Sequence, residues 1–197
     1  MHLHLEATVL PLFVAYGLIV LFLVVERLLR SGATAKTMRS QPEDRGSTKI
    51  VGLGFGMSML VLVMAAFLPH DAFGSYQQSF GWGGIALMVL GLLVRIWSAR
   101  TLGEFYTRTL VVTAYQQLVE SGPYRWLRHP GYFADILLWL GAGIASANLI
   151  VLALIAGMLL PAYIYRVHVE DLMLRQRFGA AFERYAKTRW RLIPLLY

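Results

Sequence analysis

"LVESGPYRWLRHPGYFADILLWL", residues 118–140, runs from charged and aromatic groups straight into a strongly apolar segment. Tyr124, Arg125, Arg128, His129 and Tyr132 cluster at the junction. Polar groups at the mouth of a membrane helix are costly, so their presence there suggests a site. About 40 residues later, a second apolar segment ends in "YIYRVHVEDLMLRQRFG" (163–179), placing Arg166, Glu170 and Asp171 just past the hydrophobic run. Two charged clusters thus flank one helical hairpin, which sets the fold class as all-α.

The rest of the chain agrees. It has 197 residues, 57% of them hydrophobic and 15% charged, too apolar for an ordinary soluble domain. Five segments approach the roughly 20 residues that cross a bilayer as helix. They cover about 7–29, 50–69, 82–100, 132–147 and 149–166. The last two are short and separated by Ala147 and Asn148, so a tight antiparallel hairpin is expected. The first is too long, and lacks the early basic residues, to read as a cleaved signal peptide. No second domain, repeat or low-complexity linker is evident, so 1–197 reads as one integral membrane domain, with N-terminal helices in 1–94 and the chemistry in 95–197.

Charge gives an orientation. All 18 Lys and Arg residues fall in three groups, Arg27 to Lys49, Arg95 to Arg128 and Arg166 to Arg191. The connections 70–81 and 147–148 and the N-terminal tail carry none, so the positive-inside rule puts the N-terminus outside and the C-terminus in the cytoplasm. Five spans satisfy that parity. The net charge of +7 is then a topology signal and an attraction to anionic headgroups rather than to nucleic acid. Without cysteine there is no thiol nucleophile or thiolate metal site. The histidines at 2, 4, 70, 129 and 168 form no metal-ligand pattern, so no metal is expected.

Several local features have bland readings. "GLGFGMS" (52–58) follows no strand, so Gly52 and Gly56 read as small residues that let membrane helices approach. Gly83, Gly84 and Gly91 read the same way, and Arg95, Trp97 and Arg100 as interfacial anchors. Arg166 and Glu170 are four apart, the spacing of a surface ion pair on one helix face. Arg166, Glu170, Met173, Leu174 and Arg177 continue the fifth helix until Gly179 interrupts it. The connection 101–131 and the tail 167–197 are long enough to cap the cytoplasmic ends of the helices. Pro130 suits the first turn of helix four, where exposed backbone donors beside Arg128 and His129 can meet an anionic group.

The order Leu118-Val119, Gly122-Pro123-Tyr124, Arg128-His129-Pro130, Tyr132, a short hairpin, then Arg166, an acidic pair, Phe178-Gly179, Tyr185 and Pro194 resembles the isoprenylcysteine carboxyl methyltransferases and their phospholipid methyltransferase relatives. The resemblance covers roughly 95–197, and "DRGS" (44–47) looks like a feature of bacterial members, implying a bacterial inner membrane. It implies an integral membrane methyltransferase that encloses S-adenosylmethionine under the cytoplasmic helix ends, with no Rossmann domain. By this resemblance Gln117, Leu118, Val119, Tyr124, His129, Tyr132 and Glu170 hold the cofactor, while Arg128, Arg166 and Asp171 match positions at the reacting centre. The chain departs from the family at Gln116, often His, and at Asp171, often Glu.

Methyl transfer from a sulfonium is an in-line displacement that chiefly requires alignment and desolvation. A carboxylate acceptor needs a cation to hold it, and Arg166, then Arg128, are the candidates. An amine acceptor needs a base, for which Glu170 or Asp171 would serve. The expected partners are the bilayer and a lipophilic or prenylcysteine-like acceptor. Carboxyl O-methylation is favoured over phospholipid amine N-methylation and over an inactive scaffold.

Overall fold

A computed structural model describes residues 2–30, 42–69, 73–107 and 117–195. His70 and Gln116, and the side chains of His2 and His4, lie outside the described residues. The helices are α1 (His2–Leu29), α2 (Ser47–Met64), α3 (Gln77–Leu102), α4 (Pro130–Ala145), α5 (Leu149–Phe178) and α6 (Ala180–Lys187). Among the described residues there is no strand, only an isolated bridge between Leu127 and Trp190. Among the described residues, four stretches are long and apolar enough to cross a membrane: Leu10–Leu29, Ser47–Phe67, Gly74–Phe105 and Leu149–Phe178. The chain is an integral membrane protein. The fourth segment read from the sequence is shorter, a 16-residue helix, which at 1.5 Å per residue extends about 24 Å.

Helix α4 is the most enclosed element. Ala134, Asp135, Ile136, Leu138, Trp139, Gly141, Ala142, Gly143 and Ala145 are all buried. Small residues let α3 lie directly against it. A Cβ on Gly84 would stand 2.5 Å from the Gly141 carbonyl oxygen, and one on Gly91 2.7 Å from that of Ala134. Between membrane helices, where water supplies no drive for apolar contact, such backbone approach is itself the attraction. Helices α4 and α5 form the expected hairpin. The Asn148 side chain caps α5 by accepting from the amides of Ile150 and Val151, and its own amide donates to the Pro69 carbonyl. Helix α1 packs on α3 and α2 on α5, closing a core around Leu12, Leu62, Met88, Leu138, Trp139 and Ile155.

The glycine reading is right for Gly84 and Gly91 but not for Gly52, Gly56 and Gly83, whose Cβ positions meet nothing within 4 Å. The glycine of α2 that faces another helix is Gly54, against Leu159 of α5. Helix α5 continues through Arg166 and Glu170 to Phe178 as expected, and Gly179 breaks it with φ +51°.

Candidate active site

The site is assembled where α4 begins and α5 passes its apolar half. Pro130 occupies the first turn of α4, and His129 precedes it, 4% exposed as a residue. His129 Nε2 lies 2.7 Å from Asp171 Oδ1, and Nδ1 3.5 Å from Glu170 Oε2. Burial disfavours charge on the ring, but the hydrogen bonds and charges of Asp171 and Glu170 outweigh it and raise the His129 pKa to about 9. The imidazole is therefore cationic at neutral pH. Its ring stacks on Tyr132 at 5.7 Å.

Asp171 is a hub. It also accepts from Arg128 Nη1 at 2.7 Å and from Arg191 Nε at 2.8 Å. Arg191 belongs to a C-terminal strap pinned to the 126–128 loop, where the Arg128 amide donates to the Trp190 carbonyl and the Trp190 amide to that of Trp126. Tyr185 of α6 donates its hydroxyl proton to the Tyr124 carbonyl at 3.0 Å, and burial pushes its pKa up. Burial does the same to Tyr124.

Arg166 does not pair with Glu170 on the helix surface. Its side chain turns inward, where Nη1 donates to Asp44 Oδ1 at 3.1 Å, Ser47 Oγ at 3.1 Å and Thr48 Oγ1, and Nε to the Tyr132 hydroxyl at 3.0 Å. A helix-surface pair is worth little in water, whereas a guanidinium at this depth requires several acceptors at once.

Arg95 is likewise no interfacial anchor. It is buried, with Nε 2.7 Å from Glu26 Oε1, Nη1 3.2 Å from Asp135 Oδ2 and 3.0 Å from the Gly131 carbonyl oxygen. Arg30 also pairs with Glu26, Tyr106 donates to Glu26, and Tyr163 donates to Asp135 at 2.9 Å. This network was missed in the sequence. Its signal was present: Glu26, Arg95 and Asp135 each interrupt an apolar helix, and charge there is rarely idle.

These groups surround one cavity of about 1240 Å³. Gln117, Leu118, Val119, Tyr124, His129, Tyr132 and Glu170 all line it, as do Arg128 and Arg166. So do Glu26, Arg95, Tyr106, Asp135 and Tyr163. On another side, Phe22 and Leu23 of α1 and Val51 and Phe55 of α2 present apolar surface. The volume exceeds the roughly 300–1,000 Å³ of common single-ligand pockets. Asp171 is the one expected site residue that does not line it. It faces a neighbouring cavity of about 310 Å³ with Arg128, His168, Leu172, Arg175 and Arg191.

Residues 79–181, just over half the chain, match the phospholipid methyltransferase family model. The chain is 26% identical over 125 residues to the uncharacterized protein YpbQ of Bacillus subtilis, covering 62% of this chain and 74% of that one. It is 27% identical over 115 residues to a probable protein-S-isoprenylcysteine O-methyltransferase of Oryza sativa subsp. indica, covering 57% and 60%. It is 27% identical over 143 residues to the protein-S-isoprenylcysteine O-methyltransferase of Dictyostelium discoideum, covering 71% and 60%. The chain thus spans less than two thirds of the length of these two methyltransferases. With the ordered motifs and the shared cavity, the family match leads to one conclusion: the chain belongs to the phospholipid methyltransferase family and is similar to protein-S-isoprenylcysteine O-methyltransferases.

Proposed function

We propose that this chain is a membrane methyltransferase that transfers a methyl group from S-adenosylmethionine to a lipophilic carboxylate of the prenylcysteine kind. The observation that carries this reading is the single cavity, in which all seven cofactor candidates meet Arg166 and Arg128 beside an apolar wall from α1 and α2. The donor set suits the cofactor. Glu170 Oε2 is buried with a 3.5 Å contact to His129 Nδ1, leaving an acceptor suited to a ligand hydroxyl or amino group. Tyr124, Tyr132 and His129 offer ring faces and edges for the adenosine, and 117–119 offer backbone groups. When bound, S-adenosylmethionine supplies an electrophilic methyl on a sulfonium.

The chain's own residues then have separate tasks. Arg166 holds the acceptor carboxylate, which is already ionised and needs no base. Arg128, fixed by Asp171, is the second cation. Asp171 stands outside the main cavity, so it acts through Arg128 and His129 rather than on the acceptor. The apolar wall receives the lipid part of the acceptor and excludes water from the reacting oxygen. In this reading α4 is a fifth crossing, enclosed by its neighbours, in a single domain over 1–197. The N-terminus is outside, and α6 with the strap caps a cytoplasmic face, in a bacterial inner membrane.

A phospholipid amine is the second reading. Glu170 favours it, because its carboxylate lines the cavity and an amine acceptor must lose a proton.

Titration calorimetry of the protein in nanodiscs with S-adenosylmethionine tests the proposal. Saturable binding is expected, weakened at least about tenfold, about 1.4 kcal/mol, by Glu170→Ala. Transfer of labelled methyl to farnesylcysteine acids rather than to ethanolamine lipids separates the two readings. A well-folded protein that binds no cofactor would overturn both and leave an inactive scaffold.

A further inference from the structure

The four residues Asp44-Arg45-Gly46-Ser47 form a turn whose geometry is directed at Arg166. Arg45 and Gly46 both adopt left-handed backbone, with φ +48° and +76°, which folds the chain back at the start of α2. Asp44 is thereby carried fully inside, at 0% exposure. Its carboxylate accepts from the Thr48 amide at 3.2 Å and from Thr48 Oγ1 at 3.1 Å, anchoring it to the first turn of α2. The Ser47 hydroxyl donates to the same carboxylate. From the other side, the Tyr165 hydroxyl of α5 donates to the Arg45 carbonyl at 2.9 Å, fastening the turn to the helix that bears Arg166.

All this rigidity converges on one nitrogen. Arg166 Nη1 is met by Asp44, Ser47 and Thr48 together, while Nε is taken by Tyr132. Of the guanidinium nitrogens, Nη2 alone makes no hydrogen bond to the described residues. Arg166, Tyr132 and Thr48 all line the main cavity. A guanidinium with two nitrogens fixed by protein has lost its rotational freedom, so its remaining donor is aimed before any ligand arrives.

We propose that Asp44 is a positioning residue. Held in the Asp44–Ser47 turn, it orients Arg166 so that the Nη2 edge recognises the carboxylate of the methyl acceptor. The inference rests on the carboxylate reading above and adds a selectivity to it, for the free acid over its methyl ester. That selectivity also favours product release, because the esterified product no longer carries the charge that Arg166 holds.

The test measures binding of N-acetyl-S-farnesylcysteine and of its methyl ester to the full chain in nanodiscs. S-adenosylhomocysteine is present so that no turnover occurs. Wild type is expected to bind the acid at least about tenfold more tightly than the ester, the scale of one charge-assisted hydrogen bond. Asp44→Ala should bring the ratio close to one, with ester and S-adenosylhomocysteine affinities unchanged. Asp44→Asn, which keeps an acceptor oxygen in place, should retain the preference. Arg166→Ala should give the same low ratio, and the double variant should be no lower, because Asp44 acts only through Arg166. If Asp44→Ala does not fold, Thr48→Val, which removes one acceptor of Nη1, should lower the ratio by about two- to threefold.

A wild-type preference that survives in Asp44→Ala, or equal loss of acid and ester affinity, would overturn the positioning role and leave the carboxylate reading standing. Equal binding of acid and ester by wild type would overturn both.

Discussion

Replacing Asp171 with Asn should change how stability depends on pH, by an amount set by His129. In the folded protein His129 is clamped between Asp171 at 2.7 Å and Glu170 at 3.5 Å, and its pKa rises from the ordinary 6.5 to about 9. A proton held more tightly in the folded state stabilises folding fully below pH 6.5, and the effect fades as the pH climbs through 9. At 1.36 kcal/mol per pH unit, the whole interval is worth about 3 kcal/mol, lost between those two values. Asp171→Asn removes the nearer of two charges while keeping an oxygen for Nε2, and Glu170 stays, so the His129 pKa should fall part of the way toward 6.5 and the slope should weaken. The direct assay is a nitrogen-15 histidine titration in nanodiscs, with thermal unfolding from pH 6 to 9.5 alongside. Wild type should titrate near 9 and lose stability across the interval, and the variant should titrate lower and lose less. Parallel titration of the two proteins would refute the assignment of Asp171 as the group that keeps His129 charged.

Other outcomes follow from the same geometry. Arg166→Ala should abolish methyl transfer while cofactor binding, measured calorimetrically, stays partly intact; a parallel loss of both would place Arg166 on the cofactor instead. Arg95→Met leaves Glu26 and Asp135 without their shared cation, and removing one partner of a buried ion pair costs about 3–5 kcal/mol. Thermal unfolding in detergent should show a large loss, and no change would mean that the network is dispensable. Gly84→Val pushes a side chain into the Gly141 carbonyl, 2.5 Å from the Cβ position. Overpacking of this kind costs about 1–3 kcal/mol. Gly83→Val, whose Cβ meets nothing within 4 Å, is the matched control and should be silent in the same unfolding assay.

The cofactor candidates reach one cavity because most of them lie close together in sequence. Tyr124, His129 and Tyr132 fall within nine residues and are carried by one turn and one helix start, so local order keeps them together. Glu170 joins them because α4 and α5 form a tight hairpin, which the two-residue gap at 147–148 already required. For Arg166 the spacing suggested the wrong companion. Glu170, four residues away, was the local choice, and the bundle supplied Asp44 from 122 residues away. Glu26 and Asp135 drew no reading and Arg95 read as an interfacial anchor, because each, taken alone, resembles an ordinary charge near the end of a membrane helix.

Hydropathy and helical period are properties of neighbouring residues, so the sequence by itself determined an all-helical membrane chain, its hairpin and the break at Gly179. The residues that bring α3 against α4 were visible as small residues, but which glycines meet a helix and which face open space depended on how the helices rotate about their axes. The tertiary structure alone decided where the buried charges find their partners. Ionised groups at membrane depth must be satisfied by other elements of the bundle, and an element distant in the chain leaves no periodic trace beside the residue it serves. For that reason Asp171 became the hub that fixes Arg128 and His129, and the DRGS turn became the seat of Arg166.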